Sequence, residues 1–469
     1  QIQLLIEPKT MKNFLLVILS FVIINSISAQ DFPGYRSGSY TGVNGVFFNP
    51  ATMAGSPYKF DVNLFSLSTL VANNQASFKL SNIGQSFNGD SIKNQIFGKN
   101  AGPASGSFTT DIHGPSVMVS VGKNSFAFTT RARAFGTVKN IDGKLFNELS
   151  NSDFINDGSL PYTISSNQNM RLAVNAWSEF GLSYAREFTE GPHTLKAGIS
   201  LKYLSGAGNG YVDINTFNTT LNSDIIVRDA YLANTTGQIS TGFGGVNISN
   251  FDGNDLTKMK SHGFGTDIGF VYEFRTDVSS AKKYTPYKFK FGASILDIGS
   301  IKYKKDTERS GAYNMHITGN QRLYLNDFQN VNIDDYNSFF AARPQYFTAL
   351  PANASTTYKV SLPTTLQLDA DYHIENGFFV SMGGQFSLSN KTKAYNNVTY
   401  SSITIAPRFE KRAFGVYLPI NYNQLSKLNA GISLRFGPVF IGSGSVISAL
   451  VGESKQVDFH FGVRFGMMK

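Results

Sequence analysis

The chain has 469 residues, no cysteine, and 41 basic against 32 acidic side chains, a formal charge of +9. Without cysteine there are no disulfide scaffolds, thiolate metal sites or cysteine nucleophiles. A mean hydropathy of −0.14, with no apolar run near the ~18 residues a spanning helix needs, excludes a helical membrane bundle. The 40 Phe, 22 Tyr and 44 Gly, with only 16% charged residues, instead suggest β-structure with half its side chains turned to lipid.

At the start, Met11 and Lys12 open a basic region, residues 14–24 (FLLVILSFVII) are apolar, and residues 25–29 are small and polar. That layout predicts a signal peptide over 11–29, cleaved after Ala29; the apolar run is too short to span a bilayer. Residues 1–10 precede the methionine and read as a mis-annotated upstream start.

From residue 58 onward, segments of about ten residues alternate with period two, the signature of a transmembrane β-barrel. Lipid cannot satisfy backbone N–H and C=O groups, so a membrane sheet must close on itself. Fourteen strands are predicted, near 58–70, 74–84, 114–122, 124–138, 170–187, 194–206, 262–275, 286–303, 356–374, 377–390, 400–410, 412–423, 427–442 and 456–468. Glu190-Gly191-Pro192 and Asn376-Gly377 supply hairpin turns. The last segment carries Val457, Phe459, Phe461, Val463 and Phe465 on one face, an amphipathic terminal strand suited to outer-membrane assembly machinery. Tyr184, Tyr203, Tyr272, Tyr287, Tyr372 and Tyr422 fit an aromatic girdle. A soluble multi-domain sandwich would need shorter strands and no terminal Phe ladder.

Residues 85–113, 140–168 and 207–261 are rich in Asn, Ser, Gly, Thr and Asp and read as long loops. The stretch 304–355 is irregular, with a short helix over 334–342 that puts Phe339 and Phe340 on an apolar face. The fold expectation is thus one all-β antiparallel transmembrane barrel over 58–469, with no linker.

Residues 30–57 are too rich in Gly and Pro for a strand. They contain Phe47, Phe48, Asn49, Pro50 and Ala51, then Met53. An Asn-Pro-Ala element ahead of a barrel of about fourteen strands resembles the FadL type of outer-membrane channel. Gly114-Pro115-Ser116 with Thr129-Thr130-Arg131-Ala132-Arg133, Leu296-Asp297-Ile298-Gly299-Ser300-Ile301, Leu362-Pro363-Thr364 and Phe436-Gly437-Pro438-Val439-Phe440-Ile441-Gly442 resemble stretches of Bacteroidota barrels of FadL-like or PorV-like type. The resemblance implies that 30–57 folds inward as a hatch, with Phe47, Phe48, Asn49, Pro50, Ala51 and Met53 as its gate. It also implies a hydrophobic or amphipathic small-molecule ligand. A PorV-like relative would instead hold a secretion or surface protein partner on loops 207–261 and 304–355. An N-terminal tail and an ordinary first turn are the plain readings of the same segment.

Catalytic signals are weak, and no enzyme is expected. The six histidines are scattered without metal-ligand spacing. No Gly-x-Ser-x-Gly elbow is present, and the glycines from Gly263 to Gly269 sit inside a strand. Asp252-Gly253-Asn254-Asp255 lacks the spacing of an EF-hand loop and reads as a solvated turn. If Phe126 and Phe128 face lipid, Arg131 and Arg133 face the lumen. By the same alternation Glu179, Asp267, Glu273, Asp369, Asp371 and Arg464 are luminal, as are Lys196, Lys202, Arg275, Lys288, Lys290, Arg408, Arg435 and Asp458. Both signs occur, which favours salt-bridged filling of a barrel over an ion-selective ring. Basic residues are spread rather than clustered, so nucleic acid is not an expected partner. No cofactor is expected. The expected partners are membrane lipids and the assembly machinery, and the expected location is the bacterial outer membrane.

Overall fold

The computed structural model describes residues 32–82, 102–143, 160–166, 170–246, 261–276, 287–328, 331–351, 355–390, 392–396 and 399–469, with Gln95 and Leu145. The signal-peptide expectation and Asp252–Asp255 lie outside the described residues.

Fourteen antiparallel strands close into a transmembrane barrel. They are β1 (Tyr58–Asn73), β2 (Ala104–His113, then Ser116–Val121), β3 (Asn124–Ile141), β4 (Met170–Glu190) and β5 (His193–Asp224). Next come β6 (Asp229–Gly245, then Ser261–Phe274), β7 (Phe289–Lys304), β8 (Thr357–Ser361, then Thr365–Glu375) and β9 (Phe378–Ser387). The ring continues through β10 (Ser402–Glu410), β11 (Phe414–Tyr417, then Ile420–Asn423), β12 (Lys427–Ala430, then Ile432–Phe436), β13 (Val439–Ser443) and β14 (Gln456–Met468). Each strand pairs with the next, and β14 pairs back with β1 from Tyr58↔Met468 to Phe65↔Val463, which removes every edge. Tight turns at Gly122, Gly191, Asn376-Gly377 and Gly437, all with positive φ, gather at the end where Tyr58 meets Met468. Most longer connections gather at the other end; the one between Phe274 and Phe289 lies with the tight turns.

Alternation sets the two faces. On β3, Phe126 and Phe128 are 48% and 42% exposed, while Ser125, Ala127, Thr129, Arg131 and Arg133 between and after them are buried. Leu182, Ile199, Phe270, Phe291, Met382 and Phe465 continue the apolar outer band on other strands.

Several expectations need correction. Of the expected strand 74–84, the described residues 74–82 form no strand beyond an isolated bridge at Phe78; the second strand is β2, whose first segment falls in the expected loop 85–113. The expected strand 427–442 is two strands, because Gly437 at φ 54 turns the chain. The strand count survives because these two errors cancel. The described part of the expected loop 207–261 is largely strand. The paired run from Gly208↔Gly245 to Asp224↔Asp229 carries β5 and β6 past the barrel wall as one long hairpin. Tyr162–Ser165, in the expected loop 140–168, pairs with Leu221–Asn218 of that hairpin. Tyr287 is not in a girdle but is buried.

Over the long-connection end sits a second apolar core. Phe217, Leu221, Leu232 and Ile239 of the hairpin pack with Tyr313, Met315 and Ile317 of a strand at Gly311–Ile317. The short helix α1 (Tyr336–Ala341) closes it with Phe339 and Phe340, where the sequence placed a helix. At one place the ring is thin. β13 has five residues, fewer than the ~9–11 of a spanning strand. Beyond it, side chains replace the ladder: Ser426 donates to Gln456 Oε1 (2.9 Å) and Ser454 to Asn429 Oδ1 (2.7 Å).

Candidate functional site: a filled lumen and its cavities

Residues 32–57 lie inside the barrel as three tight 3-10 turns, Tyr35–Ser37, Gly42–Phe47 and Pro50–Met53. The local sequence explains the last of them. Asn49 is extended and its Oδ1 accepts from Ala51 N (3.0 Å), while Pro50 occupies the first turn, where a missing N–H costs nothing.

The segment is fastened around the whole ring. Asn49 Nδ2 donates to the carbonyl of Phe270 (3.1 Å) and also reaches that of Ala293 (3.4 Å), a cross-strand pair of β6 and β7. Ser294 Oγ donates to Phe48 O (3.1 Å), Ser125 Oγ to Met53 O (2.9 Å), and the Ser39 amide to Glu410 Oε2 (3.0 Å). Phe47 stacks on His113 at 3.8 Å between ring centres, and Tyr35 stacks on Phe440 at 3.7 Å. Wall glycines make room. A Cβ on Gly198 would lie 2.5 Å from Ala51 N, and one on Gly269 would collide with Asn49 Oδ1. Phe47, Phe48, Asn49, Pro50, Ala51 and Met53 are all buried.

Charged side chains form compact groups. In the first, Arg131 Nε donates to Asp111 (2.6 Å), and Arg133 Nη1 meets Asp297 (2.7 Å) and Glu179 (3.3 Å). Lys202 Nζ bridges Asp297 (2.6 Å) and Asp267 (2.7 Å). The second joins Glu273 to Lys196 (2.5 Å) and Arg275 (2.7 Å). In the third, Arg408 holds Asp371 (2.7 Å) and Glu410 (3.0 Å), with Tyr287 bonded to Arg408 Nη2 (3.0 Å). The fourth is the Arg464–Asp61 ion pair. Asp369 belongs to none of these groups; it is half-buried and lines a cavity. Four carboxylates, Asp61, Asp111, Asp297 and Glu410, and the phenol of Tyr287 take part although sequence reasoning named none of them as site residues. Asp111 was hidden in a stretch read as loop, and Asp297 in a stretch noted only for its resemblance to other barrels. Among the described residues no three His, Asp or Glu side chains are arranged to hold a metal ion.

Two cavities of about 70 Å³ each remain beside the segment. Arg36, Phe48 and Gln367 line both and partition them, with Arg36 hydrogen-bonded to Gln367. The first opens from Phe47 toward Phe108, Phe135 and Tyr400, near the long-connection end. The second lies against Asn49, Lys290, Asp369 and Asp371.

The model of a family of unknown function, DUF5723, matches residues 50–444, and the chain belongs to that family. None of the curated proteins compared with the chain matches it. Among solved structures the chain is similar to the toluene transporter TbuX of Ralstonia pickettii, at 12% identity and a TM-score of 0.41, covering 94% of this chain and 95% of that one. It is similar to a FadL homologue of Pseudomonas aeruginosa at 10% identity and a TM-score of 0.42, covering 94% and 98%. The translocator domain of the autotransporter NalP from Neisseria meningitidis is similar at 8% identity and a TM-score of 0.32, covering 90% and 92%.

Proposed function

We propose that this protein is a passive outer-membrane channel of FadL-like type that takes up hydrophobic or amphipathic small molecules. One observation carries the reading: residues 32–57 fill the lumen of a closed barrel and leave a cavity against Phe47 and Phe48. In this reading the long connections face outward and the tight turns face the periplasm. Residues 11–29 are removed on export, 30–57 form the hatch, and 58–469 form the barrel inserted by the assembly machinery. A ligand settles against Phe47 and Phe48 and passes when Asn49, Pro50, Ala51 and Met53 shift from the wall glycines. The luminal charges Arg131, Arg133, Glu179, Asp267, Glu273, Asp369, Asp371 and Arg464 stiffen the wall and seat the hatch; they do not select ions.

Purification from the native outer membrane in mild detergent, followed by mass spectrometry of everything retained, tests this. A small apolar or amphipathic molecule at near-equal stoichiometry supports it. A stoichiometric protein with no small molecule moves the assignment to a scaffold barrel. One observation favours that second reading: Ile225, Ile226 and Val227 are 73%, 94% and 54% exposed at the tip of the long hairpin.

A further inference from the structure

The cavity next to Phe47 has a chemical character that the channel reading alone does not dictate. Its apolar side is aromatic, made by Phe47, Phe48 and Phe135. Its polar side contains three guanidinium groups, and each is already engaged. Arg131 is held by Asp111, Arg133 by Asp297 and Glu179, and Arg36 by Gln367 and the ring of Phe48 at 5.0 Å. Asp297 itself lies on the wall, so a negative charge is already present there. A ligand carboxylate would meet no cation free of a partner, and its desolvation would go uncompensated.

Two buried polar atoms on lining residues do lack a hydrogen-bond partner, Arg133 Nε and Gln385 Oε1. One is a donor and the other an acceptor. Leaving such atoms unpaired costs free energy that a bare hydrocarbon ligand cannot recover. A neutral hydroxyl or amide can both accept and donate, so it matches the pair.

Resting on the channel reading, we infer that this cavity takes an uncharged amphiphile. Its flat apolar body lies on Phe47, Phe48 and Phe135, and its hydroxyl or amide group bonds Arg133 and Gln385. Carboxylates and bare hydrocarbons are the disfavoured alternatives.

The protein carries its own reporter. Trp177 is the only tryptophan, is fully buried, and stacks on Phe135 with ring centres 5.4 Å apart. The full-length protein in lipid nanodiscs is titrated with phenylbutanol, phenylbutyrate and butylbenzene, at matched free concentrations, while Trp177 emission is followed. The expected result is half-saturation by phenylbutanol at a concentration about tenfold below the other two, the effect of one or two modest hydrogen bonds. Gln385→Leu should narrow that preference while the folded barrel keeps its electrophoretic mobility. Equal or tighter binding of phenylbutyrate or butylbenzene overturns the inference and leaves the channel reading standing. An unchanged preference in the Gln385→Leu protein also overturns it. No response to any of the three removes the cavity as a binding site, and the channel reading falls with it.

Discussion

Arg464, on the last strand of the barrel, forms a buried ion pair with Asp61 on the first, and its second Nη donates to the carbonyl of Tyr40 at 2.6 Å. One guanidinium therefore ties the closing seam of the ring to the segment inside it. Removing Arg464 alone strands the Asp61 carboxylate, a loss of about 3–5 kcal/mol. Arg464→Gln should lower the temperature at which the folded form loses its fast mobility in SDS gels. Arg464→Gln combined with Asp61→Asn should recover much of that loss, since the stranded charge is gone. A double variant no better than the single would argue that packing, not charge, holds the seam.

The wall glycines make a prediction about the lumen. Gly198 and Gly269 leave space that Ala51 and Asn49 occupy. Gly198→Val should push residues 49–53 off β5 and raise conductance in planar bilayers, with the barrel still SDS-resistant. Asn49→Ala should act in the same direction, because it removes both the cap and the wall bond, about 0.5–2 kcal/mol for the cap alone. Unchanged conductance in both proteins would mean that these contacts do not close the pore.

Asp297 combines charge with backbone geometry. Its φ is 60°, in the left-handed region, and its carboxylate joins Arg133 to Lys202. Asp297→Ala loses the ion pairs and keeps the unfavourable φ. Asp297→Gly loses the pairs but relaxes the backbone, so it should be the more stable by about 1 kcal/mol. Both should fall below the parent by roughly 3–5 kcal/mol. Thermal unfolding of the three proteins side by side checks the order, and Ala at or above Gly would contradict it.

The core above the barrel should fail separately from the barrel. Phe340 is 2% exposed and meets Phe347 at 4.7 Å between ring centres. Phe340→Ala should cost about 3–5 kcal/mol locally. Limited proteolysis should then cut within 207–245 or 311–349 sooner, with gel mobility of the barrel unchanged. Simultaneous loss of both would show a single cooperative unit.

The barrel was legible because lipid imposes a strict outward apolar alternation, and Phe126, Leu182, Phe270 and Phe465 display it. The expectation failed where that pressure is absent. Ala104–His113 offers only Phe108 and Ile112 as outward apolar residues, so its Ser, Thr and Gly read as loop. Between residues 208 and 245 the hairpin stands clear of the lipid, and Phe217, Leu221, Leu232 and Ile239 face a core contributed by distant segments. At the site, the luminal charges could be read from alternation on β3, β4 and β6. Their grouping could not, because Arg133 and Asp297 are far apart in the chain and meet only through ring closure. Alternation placed Tyr287 outward with Phe289, but Tyr287 precedes β7, where the two-residue period does not fix the direction of a side chain.

The most direct test of the central claim is single-channel conductance of the mature protein beside a form lacking residues 30–57, both confirmed as folded by gel mobility. A luminal hatch predicts a nearly closed parent and a deletion form with a large, steady conductance. Equal conductance in the two would contradict the claim that this segment closes the pore.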